Sequence, residues 1–259
     1  MDEQKQFESF KNWVQRELKI NLHSYKEKQL HRRIGTVMRS AGAASLDEYA
    51  KMIKSDETVK RIFLDYITIN VTEFFRNKEI FDEFEKELTN NLYQKFGKVN
   101  IWSAACSIGA EPYSVAIILK RHGLERKGKI VATDIDDTIL KKAREGTFRE
   151  AEVKSVNEAD RNKYFTKNGN QFKIDEGIKQ MVQFKKHDLI LDSYEKNFHA
   201  IICRNVTIYF KNETKNEIYR KFNESLEKGG IFFTGATESI YNPESFGFRK
   251  LSTFLYEKV

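Results

Sequence analysis

The residues with the clearest chemical potential fall in four short segments. The first is Ser103-Ala104-Ala105-Cys106-Ser107-Ile108-Gly109-Ala110-Glu111-Pro112, a small-residue turn after the apolar run Val99 to Trp102. A turn of this kind lets a ligand approach the backbone closely. The second is Asp134, which ends Lys129-Ile130-Val131-Ala132-Thr133-Asp134. An acidic side chain at the tip of a second strand can accept both ribose hydroxyls of an adenosine cofactor. Its distance along the chain from Gly109 is near the roughly 20 residues of the dinucleotide fingerprint. That fingerprint has three glycines, however, and this segment has one. A missing pyrophosphate loop argues against NAD and fits an adenosine ligand without phosphates, S-adenosylmethionine being the obvious one. The third segment is Arg204-Asn205, with Tyr209 and Phe210 close behind. Arg204 directly follows the apolar Ile201-Ile202-Cys203, and Arg is almost never buried unpaired. The fourth is Asn70-Val71-Thr72-Glu73-Phe74-Phe75-Arg76-Asn77, which sets polar side chains among two phenylalanines at a domain junction. Clefts at such junctions are common ligand sites. The plainer alternative is a linker capped by Thr72 or Asn70.

Other chemistries lack their residues. His23, His31, His122, His187 and His199 show no metal-ligand spacing, so no metal site is expected. There is no Gly-x-Ser-x-Gly and no Walker loop. His187-Asp188 could be a catalytic pair, contact an adenine, or cap a loop. Cys106 and Cys203 stand far apart in apolar contexts and read as buried reduced thiols of a cytoplasmic protein.

The elements that must position these residues come in two styles. Helical spacing dominates the first 80 or so residues: Phe7, Phe10, Val14 and Leu18, then Leu30, Ile34, Val37 and Met38, then Val59, Ile62, Phe63 and Tyr66. Ser45-Leu46-Asp47-Glu48 is a capping box at a helix start. A long amphipathic helix runs through Ile80, Phe81, Phe84 and Leu88. From Gly97 onward, short β-prone runs alternate with helices. The strands are expected at 99–102, 129–134, 181–187, 199–203 and 231–234, with Gly229-Gly230 ending the helix before the last of these. Residues 250–259 read as an extra strand that could be antiparallel. Alternation of this kind implies a mostly parallel sheet covered on both faces, an α/β fold. One segment breaks it: Lys163 to Thr166 and Gln171 to Ile174 flank Asn168-Gly169-Asn170, a strong hairpin signal. This inserted β unit would cover a sheet edge or bind a partner by strand addition.

Composition narrows the class. The chain has 259 residues, 40% of them hydrophobic and 32% charged, with only two prolines. That balance fits a folded globular protein of one or two domains. The longest apolar run, Val115 to Leu119, is far short of the roughly 20 residues of a membrane span. The start resembles no signal peptide. The formal charge is +7, and the stretch from Lys19 to Ser40 carries most of it. Lys19, Lys26, Lys28, Arg32, Arg33 and Arg39 are opposed there by Glu27 alone. It is either a solvated helix face or a docking surface for something acidic. No Trp or Tyr row interleaves with it, which weakens the case for nucleic acid.

Four motifs together resemble the CheR-type chemotaxis receptor methyltransferases of bacteria. They are 70–76 (Asn-Val-Thr-Glu-Phe-Phe-Arg), 105–114 (Ala-Cys-Ser-Ile-Gly-Ala-Glu-Pro-Tyr-Ser), 132–136 (Ala-Thr-Asp-Ile-Asp) and 203–210 (Cys-Arg-Asn-Val-Thr-Ile-Tyr-Phe). The resemblance covers essentially the whole chain. It implies a helical N-terminal domain, 1–76, and a class I S-adenosylmethionine-dependent methyltransferase domain, 77–259, with a Rossmann-like sheet and a small β subdomain at about 150–180. It implies transfer of a methyl group to glutamates of methyl-accepting receptors, leaving S-adenosylhomocysteine. By the same resemblance Asn70, Thr72, Arg76, Glu111, Asp134, Asp188, Leu189, Arg204 and Asn205 line the cofactor site. Lys26, Lys28, Arg32, Arg33 and Arg39 would dock the Glu-rich helical region of the receptor. A monomer with neither nucleic-acid binding nor membrane insertion is expected.

Physical chemistry constrains that reaction. A Glu side chain is already a carboxylate at pH 7 and needs no general base. The enzyme mainly has to align oxygen, methyl carbon and sulfur and exclude water. Arg76 and Tyr209 are the expected catalytic residues, a planar fork of donors and a single hydroxyl that hold the carboxylate. Two rival readings remain: a class I methyltransferase acting on RNA or a small molecule, and a non-catalytic module that keeps the fold. The Asn/Asp-Pro-Pro-aromatic motif of amino methylation is absent, and Arg76, Asp134, Arg204, Asn205 and Tyr209 are all present, which disfavours both.

Overall fold

The computed structural model describes residues 3–68 and 72–259. The chain forms two compact units, Met1–Asn70 with Tyr209–Lys215, and Val71–Ile208 with Asn216–Val259. The division therefore falls before Thr72–Arg76 rather than after it. The reason lies in packing: Phe74 and Phe75 are buried in the core of the second unit.

The first unit is built on helices α1 (Glu3–Leu18), α2 (Glu27–Ser40), α3 (Leu46–Ser55) and α4 (Glu57–Thr68). Their apolar stripes meet through Phe10, Tyr49 and Phe63, whose rings lie about 6 Å apart in edge and stacked contacts. The Ser45 hydroxyl accepts from the Glu48 amide at 3.2 Å, and the Glu48 carboxylate reaches back to the Ala44 amide at 2.8 Å. The expected stripe of α4 needs a correction. Phe63 and Ile67 are its buried residues, whereas Ile62 is 51% exposed. The segment at 209–215 joins this unit through Lys26 N–H to Tyr209 O (2.9 Å), Lys211 N–H to Ser24 O (2.8 Å) and an edge contact of Tyr25 with Phe210.

The basic stretch divides by role. Lys19, Lys26, Lys28, Arg32 and Arg39 are exposed. Lys28, Arg32 and Arg39 recur on α2 at helical spacing. Among the described residues none of the three has an ion-pair partner. Arg33 differs from them. It is half-buried, lies 4.6 Å over the Tyr66 ring and donates to the Tyr66 carbonyl. Its guanidinium is engaged in stapling α2 to α4, so it is not a free docking charge.

In the second unit ten strands form two sheets. The larger holds β1 (Val99–Ala104), β2 (Gly128–Asp134), β6 (Val182–Lys186), β7 (Phe198–Cys203), β8 (Leu226–Thr234), β9 (Phe248–Lys250) and β10 (Leu255–Lys258). Its order is β6-β2-β1-β7-β8-β10-β9, parallel through β8 and antiparallel at β10 and β9. The chain moves outward from β1 through β2 to β6, then returns to place β7 on the other side of β1. That makes the carboxyl ends of β1 and β7 a switch point, where open α/β sheets bind ligands. Buried parallel strands need apolar residues on both faces. Strands β1 and β7 show it, with one half-exposed residue each. The expected stop at Gly229-Gly230 is also corrected. The helix Asn212–Ser225 ends earlier, and both glycines lie inside β8. Gly229 has φ +78°, and the β7–β8 register shifts between Phe198 and Ala200. The glycine therefore serves a bulge. The C-terminal strand is two short antiparallel strands rather than one.

The smaller sheet, β3 (Thr147–Arg149), β4 (Phe165–Asn168) and β5 (Gln171–Ile174), is antiparallel in the order β3-β5-β4. Its tight turn uses Gly169 at φ +58°. Phe148 and Phe165 from this sheet hold Phe74 between them at 4.8 and 5.1 Å. The β insertion thus anchors the segment that carries Arg76. Helix α5 (Lys78–Glu87) lays Phe81 and Phe84 on the main sheet, with Phe84 stacked 4.8 Å from Phe233. Among the described residues no helix is long and apolar enough to cross a membrane.

Phe84→Ala should destabilise the fold by about 3–5 kcal/mol, the usual cost of emptying an aromatic position in a packed core. A denaturant midpoint unchanged within error would show that this face of the sheet is not under packing control.

Candidate active site

The turn after β1 is built from unusual backbone. Ala105, Ser107 and Gly109 all have positive φ, at 63°, 50° and 87°. Non-glycine residues adopt this region rarely and at a cost, so something must hold them there. Cys106 N–H donates to Thr133 O at 2.8 Å, and Ser107 N–H to Asp134 Oδ2 at 2.9 Å. Gly109 is fixed by space as well, since a Cβ there would stand 3.0 Å from the Tyr113 ring and 3.2 Å from both Ala143 and Phe184. The helix Ala110–Arg121 starts directly behind it and places Glu111 in its first turn.

Asp134 ends β2 and is almost fully buried. Its second oxygen, Oδ1, accepts from the Asp136 amide at 3.1 Å. Burial pushes its pKa up from 3.8 to about 6, against the lowering effect of these amides. The Ser107 and Asp136 amides do not exhaust the roughly four acceptor positions of a carboxylate. A raised carboxyl pKa favours the fold below the unfolded pKa, and that contribution is lost as pH rises through about 6. Keeping Asp134 ionised at neutral pH costs on the order of 3 kcal/mol.

Glu111 and Arg204 form the other half of the constellation. Glu111 Oε1 accepts from Ser103 Oγ at 2.7 Å, and Oε2 lies 4.0 Å from Arg204 Nη1. Burial raises the Glu111 pKa, opposed mainly by the Arg204 charge. Arg204 follows β7 with its side chain 2% exposed. Its Nη2 donates to the Arg76 carbonyl at 2.8 Å and to Asn77 Oδ1 at 3.1 Å, and its guanidinium carbon sits 4.8 Å from the Phe233 ring and 5.4 Å from that of Phe81. Burial lowers its pKa, and Glu111 counters that. Arg76 lies between Phe75 (φ 49°) and Asn77 (φ 58°), two more strained residues. Its charge is close enough to act on both Glu111 and Arg204.

The remaining candidates separate. Thr72 is half-buried beside this group in the chain, while Asn70 lies outside the described residues. Asp188 Oδ1 accepts from the amides of Ile190 (2.7 Å) and Leu191 (3.3 Å), so it caps its own loop. That loop is tied to the site through His187 N–H to Asp134 O at 3.0 Å, with Leu189 buried. Burial lowers the His187 pKa, and the ring packs on Trp102 and Tyr194. Asn205 has φ +60° and a buried Oδ1 without a partner among the described residues; Arg204 Nε is likewise unpartnered. Tyr209 belongs to the first unit, as do the basic residues of α2. One residue escaped the sequence reading altogether. Glu238, 4% exposed, accepts from the amides of Asn205, Val206, Thr207 and Gly235 and from the Thr207 hydroxyl. A lone Glu in Gly235-Ala236-Thr237-Glu238-Ser239 gives no sequence signal for such a role.

Comparison with known proteins decides the lineage. A family profile described as "CheR methyltransferase, SAM binding domain" matches residues 70–255, and "CheR methyltransferase, all-alpha domain" matches residues 5–68. A chemotaxis protein methyltransferase of Listeria innocua is 39% identical over 258 residues, covering 99% of this chain and 98% of that one. Those of Borreliella burgdorferi and Escherichia coli are 34% and 31% identical, covering 85% and 87% of this chain and 83% and 81% of theirs. The chain belongs to the CheR methyltransferase family. It is a methyltransferase, and its cofactor is S-adenosylmethionine. The residues present fit that ligand. Asp134 offers ionisable acceptor capacity for a ribose, Glu111 is a largely buried carboxylate in reach of a cation, and Asn205 and Arg204 retain unpartnered polar atoms. As a CheR-family enzyme it follows the α/β fold with a helical N-terminal domain that the motifs imply.

A ribose bound at Asp134 would be held more strongly by the carboxylate than by the protonated acid, so protonation should weaken cofactor binding. The dissociation constant for S-adenosylmethionine should be flat above about pH 7 and rise as pH falls through about 6. Asp134→Ala should bind weakly at every pH with that slope removed. Calorimetry showing wild-type affinity in this variant would take Asp134 out of the site.

Proposed function

We propose that this CheR-family enzyme methylates glutamate side chains of methyl-accepting chemotaxis receptors, forming methyl esters for adaptation. The observation that carries the reading is the Asp134–Glu111–Arg204 arrangement at the switch point, in a chain that matches a chemotaxis methyltransferase over 99% of its length. S-adenosylmethionine supplies an electrophilic methyl on a sulfonium. The chain's residues have to orient and exclude water, because the substrate carboxylate needs no deprotonation. Thr72, Arg76, Glu111, Asp134, Asp188, Leu189, Arg204 and Asn205, with Asn70, are our cofactor-binding set. Within it, Asp188 and Arg204 also hold their own loops, Asp188 through Oδ1 and Arg204 through Nη2, while Arg204 Nε has no partner among the described residues.

Arg76 and Tyr209 are proposed to hold the incoming carboxylate. A grip that is too tight would stabilise the ground state and slow transfer, so their task is orientation. The exposed Lys26, Lys28, Arg32 and Arg39 on the first unit suit a Glu-rich helix, with Arg33 supporting them from beneath. Attraction between exposed charges is screened within about 8–10 Å at physiological salt. The two buried free thiols, Cys106 and Cys203, suit a reducing cytoplasm.

Methyl-labelled S-adenosylmethionine and receptor-bearing membranes should yield label on receptor-sized protein that mild base releases as methanol. Base-stable label, or label in RNA, would leave the fold right and the substrate wrong. Tyr209→Phe should lower kcat about tenfold with cofactor affinity unchanged, as expected for one lost orienting hydrogen bond. Raising ionic strength about tenfold, into the range where surface charges are screened, should raise KM for the receptor. Charge removal at Lys28 and Arg32 should flatten that dependence.

A further inference from the structure

Three consecutive amides after β7, those of Asn205, Val206 and Thr207, converge on one carboxylate, Glu238. A left-handed residue within such a run lets successive amides form an anion-binding concavity. Asn205 supplies it at φ +60°. Such nests ordinarily bind an anion from outside. Here the anion is internal, delivered from the loop after β8. Glu238 Oε1 accepts from Val206 N–H at 2.9 Å, Thr207 N–H at 2.8 Å and Thr207 Oγ1 at 2.9 Å. Oε2 accepts from Gly235 N–H at 3.0 Å and from Asn205 N–H. All five partners are donors, and the carboxylate is 4% exposed. Gly235 is shaped to this arrangement. A Cβ there would stand 2.8 Å from the Asn205 amide nitrogen and closer still to Glu238 Oε2.

The clamped loop is the one that carries Arg204 and Asn205. Without the carboxylate, four buried or part-buried amides would lose their acceptor, an outcome that folded proteins avoid. Asn205 would then have no reason to stay left-handed. Its unpartnered Oδ1 would turn away from its present direction. We propose that Glu238 is a positioning residue for cofactor binding, holding the Arg204–Thr207 loop so that Asn205 presents its side chain to S-adenosylmethionine. It touches neither cofactor nor substrate and acts through Asn205. This inference rests on the reading of Asn205 as a cofactor contact.

Glu238→Gln keeps the shape but places an amide NH2 against at least one of the converging donors. Calorimetric titration with S-adenosylmethionine, without any receptor, should show about tenfold weaker binding for Glu238→Gln and for Asn205→Ala. The double variant should be no weaker than either single one, because both remove the same contact. Hydrogen exchange at residues 205–207 should speed up in Glu238→Gln while β1 stays protected. Should Glu238→Gln fail to fold, Thr207→Val removes one of the five donors and should weaken binding two- to threefold, again without adding to Asn205→Ala. Wild-type affinity in both Glu238→Gln and Thr207→Val, or additive losses of about a hundredfold in the double variant, would overturn the proposal. Asn205→Ala binding as wild type would overturn the contact it rests on, and a wild-type chain that binds no cofactor would overturn the cofactor reading as well.

Discussion

The Arg204 guanidinium is the interaction on which the second unit's working end depends. It is buried at the carboxyl end of β7, between the rings of Phe81 and Phe233. From there it holds the Arg76 carbonyl and the Asn77 side chain, and faces Glu111 at 4.0 Å. Four separate stretches of chain are thereby fixed to one planar group: the 72–77 turn, α5, the start of the helix after β1, and β8. A buried charge is expensive unless it is paired and hydrogen-bonded. Removing Glu111 would leave the guanidinium without its facing carboxylate, and removing Arg204 would leave the largely buried Glu111 carboxyl with Ser103 as its hydrogen-bond donor and Arg76 as the remaining nearby charge. Neither is replaceable singly, although the pair adds little net stability.

The same end of the sheet concentrates backbone strain. Phe75, Asn77, Ala105, Ser107 and Asn205 are non-glycine residues in the left-handed region, and all border the constellation. Four of them have a specific polar partner: Asp134 for Ser107, Glu238 for Asn205, Ser114 for the Phe75 amide and Arg204 for the Asn77 side chain. Strain of this kind persists only where surroundings over-determine it. The carboxylates that hold it, Asp134 and Glu238, are therefore not spare acids. Burial of Asp134 pushes its pKa up, the electrostatic cost of keeping such a group dry.

The small β sheet shows how an insertion can serve a site from outside it. Phe148 and Phe165 grip Phe74. The Phe74 amide donates to Glu152 O at 2.9 Å. Arg76, two residues on, inherits that anchoring. The insertion is not simply a cover for a sheet edge, because its apolar face is engaged with the segment carrying a site residue.

Local chemistry is written in the residue order. The alternation of strand and helix, the Gly-poor turn before Glu111, Asp134 at a strand tip and Arg204 after an apolar run are all legible without coordinates. Periodicity and strand-end position are properties of neighbouring residues, so sequence carries them. Boundaries set by distant partners are not legible. Gly229-Gly230 has the look of a helix stop and is a strand bulge, because β7 pairs across it. Ile62 has the spacing of a core residue and faces solvent, since the α4 stripe is rotated toward Phe63 and Ile67. Arg33 reads as one more docking charge, whereas Tyr66 lies beneath it and engages it. Glu238 leaves no trace, for its five donors come from a loop far away in the chain or from its own turn. Lineage, fold class and the residue types of the site are carried by local residue order. Which charges hold the fold and which remain for a ligand is set by folding, because a side chain's remaining hydrogen-bonding capacity depends on partners that no local pattern encodes.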